Sequence, residues 1–144
     1  MDAFDADVLI YAAAANHSLG RRVRALFPAG PVEDTEAVAG IGSVLLLPEL
    51  LTKPLRDRAD AELEQMSALL SRLELLPADK AVAELATALG AAYGLRAADS
   101  VHLATAVGAG ADRFVTNNAD DFPQTIAEID IVYPRDLPDP GRAR

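Results

Sequence analysis

Short apolar segments alternate with helix-patterned ones along this chain, and that alternation constrains its fold more than any other feature. Residues 2–5, Leu73–Leu76, Arg113–Thr116 (RFVT) and Ile129–Tyr133 (IDIVY) read as strands. They are too short for stable helices, and RFVT and IDIVY are rich in β-branched or aromatic residues. Helical patterns fill the spaces between them. One helix is expected from about Val8, and a second over 18–27, with Ser18 as its cap and Pro28 and Gly30 as its stops. The stretch AVAGIGSVLLLPELLTKPLR is small and apolar, then helical from about Pro48 to Arg56, because proline is tolerated at a helix start. Over 60–71, Leu63, Met66, Leu69 and Leu70 share one face. An Ala-rich helix is expected from Asp79 to Tyr93, ended by Gly94, and another from Ala98 to Val107, stopped by the GAGA run. Strands joined through helices pair mainly in parallel, so the chain is expected to be α/β. Sites in such sheets form beyond the carboxyl ends of the strands.

Length and composition limit the possibilities further. A chain of 144 residues with 51% hydrophobic and 24% charged residues suits one globular domain. That domain is expected over residues 1–134, with a loose, Pro-rich, polar tail at 135–144. No apolar run approaches the roughly 20 residues a membrane span needs, and no basic segment precedes an apolar one at the N-terminus. No membrane partner is therefore expected, and a cytoplasmic location is. Cysteine is absent, which removes disulfides, thiolate zinc sites and cysteine nucleophiles. With only His17 and His102, a multi-histidine metal centre is not expected. A net charge of −9 runs against the basic footprint of most nucleic-acid binders. Two local basic groups, Arg21/Arg22/Arg24 and Lys53/Arg56/Arg58, are either a nucleic-acid patch or solvated helix faces.

Four acids occupy unusual contexts. Asp5 ends the first strand, and Glu49 lies among leucines in LLLPELLTK. Asp99 opens an Ala-rich helix, and Asp121 lies in TNNADDF just after a strand. Carboxylates are seldom buried without partners. Each also has a plain structural explanation. Asp5 or Asp7 can cap the helix that follows. Glu49 can face solvent, Asp99 can answer the helix dipole, and Asp121 can be a turn residue.

The blocks DADVLIYA (Asp5–Ala12), ELLTKPLR (Glu49–Arg56) and YGLRAADSVHLATAVGAGADRFVTNNADDF (Tyr93–Phe122), with the spacing between them, resemble PIN-domain nucleases and especially VapC-type toxins. The resemblance spans nearly the whole chain; residues 16–42 and 124–144 contribute little to it. It implies an α/β/α sandwich with a central, mainly parallel sheet flanked by helices. It also implies an acid cluster that binds Mg²⁺ or Mn²⁺ for hydrolysis of RNA phosphodiesters. Position by position, Asp5 matches the first family acid, Glu49 the helix glutamate and Asp99 the acid of the later helix. Many relatives carry a fourth acid where this chain has Asn118, but TNNADDF resembles a second family variant that places it at Asp121, with Asp120 a weaker choice. Asp7, which stands where relatives often have Asn, together with Thr116 and Asn118, is a supporting residue. The implied partners are RNA, a small antitoxin protein that blocks the crevice, and a second copy of the chain. For that dimer the apolar run Val44–Leu47 with Leu50 and Leu51 offers a contact, although core packing explains the run equally well.

An all-carboxylate site suits this chemistry. Mg²⁺ is a hard ion that takes oxygen ligands, and one or two such ions can activate water and relieve charge on the phosphoryl oxygens. Two carboxylates about 5 Å apart repel by roughly 3 kcal/mol at an effective dielectric of 20. The metal-free cluster is therefore expected to show raised pKa values. Asp5 and Asp99 are assigned the principal ion. Glu49 acts through water, and Asp121 completes the cluster or holds a second ion. His102, three residues after Asp99, is read as a packed histidine with one polar partner, or less simply as a ligand or proton carrier. Arg56 and Arg96 are candidates for holding RNA. Two rival readings remain. A PIN-like scaffold without activity would explain the Asn at 118 and the net charge. A haloacid-dehalogenase-type phosphatase would explain FDADV, but the expected Gly or Thr loop does not follow it.

Overall fold

The computed structural model describes residues 1–28 and 38–142. Its elements in chain order are β1 (Asp2–Phe4), α1 (Ala6–Ala13), α2 (Ser18–Arg24), β2 (Gly40–Ser43), α3 (Leu46–Arg56), α4 (Asp60–Leu70), β3 (Leu73–Leu76), α5 (Lys80–Tyr93), α6 (Ala97–Gly108), β4 (Arg113–Val115) and β5 (Asp130–Val132). Among the described residues the strands form one five-stranded sheet in the order β3-β2-β1-β4-β5. Every pairing is parallel.

Strand alternation splits the core into two layers. Ala3, Ile41, Phe114 and Ile131 face one side and pack with Ala86 and Leu89 of α5 and Leu103 and Ala104 of α6. Phe4, Val115 and Leu73 face the other side and pack with Val8 and Leu9 of α1, Val23 of α2, Leu46 and Leu50 of α3, and Met66 and Leu70 of α4. The result is an α/β/α sandwich. Burying each large apolar side chain contributes about 1.5–3 kcal/mol.

Strand β2 has no counterpart in the sequence reading, and its glycines explain why. A side chain at Gly40 would come within 2.2 Å of the Asp2 carbonyl oxygen, and one at Gly42 within 2.5 Å of a Leu46 methyl. Close approach replaces the β-branched residues that normally signal a strand. Helix α1 begins earlier than expected, because Asp5 caps it with its side chain. Helix α2 ends at Arg24 and is capped by the His17 ring, which accepts from the Gly20 N–H at 3.2 Å; Ser18 is already helical. The proposed stop Gly30 lies outside the described residues.

Part of the expected tail lies within the described residues. Pro134–Asp136 forms a 3₁₀ turn, and Leu137 is buried. The Arg22 guanidinium donates to the Arg135 and Leu137 carbonyls at 2.9 and 3.0 Å. Arg24 donates to the carbonyls of Ala12, Ala14 and Ala15 at the end of α1. Two of the three clustered arginines therefore tie backbone rather than forming a solvated face.

Candidate active site

The strand order reverses at β1, where the chain returns from β3 across the sheet to β4. Such a switch point opens a crevice beyond the carboxyl ends of the two central strands. Asp5 follows β1 and Thr116 follows β4, and the Asp5 N–H still bonds the Val115 carbonyl at 2.9 Å.

Asp5 is only 6% exposed. One carboxylate oxygen accepts from the Ala6 N–H at 2.8 Å, and the other accepts from the Thr116 hydroxyl at 2.8 Å. Asp5 is thus both a helix cap and a crevice residue. Thr116 is wholly buried, and its oxygen also accepts from the Asn118 N–H at 3.1 Å, which leaves the hydroxyl proton for Asp5. Burial raises the Asp5 pKa; the Thr116 bond and the nearby His102 oppose that rise.

Asp7 lies two residues on, in the first turn of α1, and is half-buried. Its Oδ2 accepts from the Asn117 N–H at 3.1 Å, while its Oδ1 is buried without a partner. Burial, then the charge of Asp5, pushes its pKa up to about 7. Asp99 sits in the first turn of α6 and is half-buried. Its pKa is also raised, first by burial and then by the charges of Asp5 and Asp121. Asp121 is held by Asn118, whose side-chain N–H donates to it at 2.8 Å and whose carbonyl accepts from the Asp121 N–H at 3.2 Å. Its neighbour Asp120 is exposed.

Glu49 lies in the first turn of α3 with its carboxylate partly exposed. One oxygen meets Nε2 of His102, which is only 2% exposed. The charge of Glu49 adds a smaller upward push on Asp5, so the two share one electrostatic neighbourhood.

Asp5, Asp7, Asp99 and Asp121 therefore converge at one end of the sheet, with Glu49 at the edge. Among the described residues, no three Asp, Glu or His side chains already stand together as a metal-holding group. Asp5 is bonded to Thr116, Glu49 to His102 and Asp121 to Asn118. The donor set nevertheless suits a hard divalent ion: every group is an oxygen donor, one carboxylate oxygen is buried and unpartnered, and three carboxyls are pushed toward the protonated state by burial and mutual repulsion.

The basic candidates fall elsewhere. Arg56 is paired with Asp57 at 3.1 Å. It lies about 10 Å further along α3 than Glu49. Arg96 is exposed at the start of α6, close in sequence to Asp99. Two side chains at the crevice escape a reading of charge alone. Asn117 joins Asp7 through its backbone and the Tyr11 hydroxyl through its side chain at 3.2 Å, and the Tyr11 ring stacks on His17. The TNN run carried a weak signal for Asn117; nothing marked Tyr11.

The PIN domain family matches residues 3–127, a span that holds Asp5, Glu49, Asp99 and Asp121. The chain belongs to the PIN domain family. Its members are nucleases. No curated protein matches the chain. Among solved structures, a chain of a toxin–antitoxin complex from Klebsiella pneumoniae superposes with a TM-score of 0.70 at 23% identity, covering 93% of this chain and 98% of that one. A chain of VapBC2 from Rickettsia felis, bound to a DNA fragment from the VapBC2 promoter, gives 0.67 at 16% identity, covering 92% and 97%. These two likenesses establish a shared PIN fold. Among the described residues, no helix is long and apolar enough to cross a membrane.

Proposed function

We propose that this PIN-domain chain is a divalent-metal-dependent endoribonuclease, the toxin member of a toxin–antitoxin pair. One observation carries the reading: Asp5, Asp7 and Asp99 meet at the switch point of a parallel sheet with their carboxyls raised by shared burial and repulsion. A bound cation relieves such a cluster. Family membership and the toxin–antitoxin neighbours support the choice of reaction and setting.

In this reading Asp5 and Asp99 hold Mg²⁺ or Mn²⁺, and Asp121 completes the set or holds a second ion. Such an ion supplies Lewis acidity and an activated water. Thr116 holds Asp5 in place through its hydroxyl, and Asn118 does the same for Asp121. Glu49 orients the attacking water from the edge of the crevice. Asp7, backed by the Asn117 N–H, adds negative charge that strengthens cation binding. An antitoxin segment with a basic side chain is the electrostatically favoured inhibitor of this crevice. A homodimer would use Leu47 and Leu55, which are exposed on α3, because Leu46 and Leu50 are spent in the core.

The test is cleavage of a mixed RNA pool by the purified chain under Mg²⁺ and Mn²⁺, with an EDTA control and an Asp99→Asn variant checked for folding. Cleavage that needs metal and disappears in the folded variant supports the nuclease. No cleavage together with no metal binding favours the scaffold reading.

A further inference from the structure

His102 is the most buried ionisable side chain that the reaction scheme leaves without a task. Its side chain is 1% exposed, whereas that of Glu49 is 37% exposed. The two come from different layers of the sandwich: Glu49 from α3 and His102 from α6. They meet at one contact, Nε2 to a Glu49 carboxylate oxygen. The other ring nitrogen, Nδ1, is buried without a partner. That asymmetry favours the Nε2–H tautomer. An Nε2–H donates to the carboxylate and leaves only a lone pair orphaned at Nδ1, whereas an Nδ1–H would be a buried donor without an acceptor and would face Glu49 with a second lone pair. A glutamate on an exposed helix turn otherwise samples several rotamers. A buried ring that cannot move is an effective anchor for it.

We infer that His102 is a positioning residue: its Nε2–H holds the Glu49 carboxylate at the rim of the Asp5–Asp99 crevice, in the orientation that presents it to the divalent ion or its water. The inference rests on the metal-dependent reading above and assigns a task within that site. It accounts for a histidine three residues after Asp99 without making it a ligand. Outer partners of this kind commonly change metal affinity by about 10–100-fold when removed.

The experiment is a Mn²⁺ titration of the RNA-free chain, followed by calorimetry and by the electron spin resonance of free Mn²⁺. It compares wild type, His102→Leu, His102→Gln, Glu49→Gln and the His102→Leu/Glu49→Gln double variant, each checked for folding. His102→Leu is expected to weaken Mn²⁺ binding about 10–100-fold. His102→Gln, which keeps a donor at similar reach, should restore most of it, and the double variant should be no weaker than Glu49→Gln alone. Long-range ¹H–¹⁵N spectra should show the proton on Nε2 of His102 in wild type, a readout that stands even where His102→Leu fails to fold. A folded His102→Leu with wild-type affinity, a glutamine variant as weak as the leucine one, additive losses in the double variant, or an Nδ1–H tautomer would each overturn the role. A wild type that binds no Mn²⁺ would overturn the metal-dependent reading itself, and this role with it.

Discussion

The two ends of the parallel sheet both carry acids, but they treat them in opposite ways. At the amino end, Asp2 is clasped by the Arg113 guanidinium at 2.8 and 2.9 Å, and Asp112 is paired with the N-terminal amine. Those partners pull the Asp112 carboxyl below its ordinary pKa and raise that of Arg113. At the carboxyl end, no Lys or Arg among the described residues pairs with Asp5, Asp7, Asp99 or Asp121. There the shifts run upward instead. The fold neutralises its acids at one edge and leaves them crowded at the other, and the proposed cation site rests on that contrast.

The largest effect should come from removing one crowded acid. Asp99→Asn or Asp5→Asn should lower RNA cleavage by more than about 100-fold, since changes to outer partners alone cost 10–100-fold. Steady-state cleavage rates at saturating Mn²⁺ check this, and a folded variant with wild-type rates would break the contrast.

The next effect is on stability against pH. Asp7 has a folded pKa of about 7 against an ordinary 3.8. The protonated acid favours the fold, so its contribution is complete below the ordinary value and is lost as pH rises through about 7. The loss is on the order of 4 kcal/mol at most. The metal-free melting temperature should therefore fall between pH 4 and about 7, and Asp7→Asn should flatten that slope. Saturating Mn²⁺ should flatten it too. At the amino end the sign reverses: Asp112 favours the fold above its ordinary pKa and loses that contribution as pH falls.

Arg113→Met should cost about 1–3 kcal/mol in denaturant unfolding by stranding Asp2, with Mn²⁺ affinity unchanged. Thr116→Val should cost about 1–2 kcal/mol and weaken Mn²⁺ binding, because Asp5 loses a donor and the Asn118 N–H loses its acceptor. Asp120→Asn, at an exposed position beside Asp121, should stay within about 0.5 kcal/mol of wild type and leave cleavage rates intact.

The α/β class was legible because apolar strands and helical periods carry their own signal, the α/β/α layering followed from the family resemblance, and most element boundaries fell within a residue or two. Strand β2 was not, because Gly40 and Gly42 are there for close packing rather than propensity. The burial of Leu137 was not legible, because one apolar residue among prolines and charges gives no pattern, yet Arg22 clamps the backbone around it. For the site, the residue types and spacing pointed to the acids that the fold gathers. They could not show that Asp5 serves as cap and crevice acid at once, or that Glu49 is tied to His102. Those facts depend on contacts between residues 111 and 53 positions apart, respectively.

The most direct measurement is a Mn²⁺ titration of the purified wild-type chain beside Asp99→Asn and Arg113→Met. The account predicts binding that Asp99→Asn weakens and Arg113→Met leaves alone, placing the cation at the carboxyl end of the sheet. No binding to the folded wild type, or binding that survives Asp99→Asn unchanged, would contradict it.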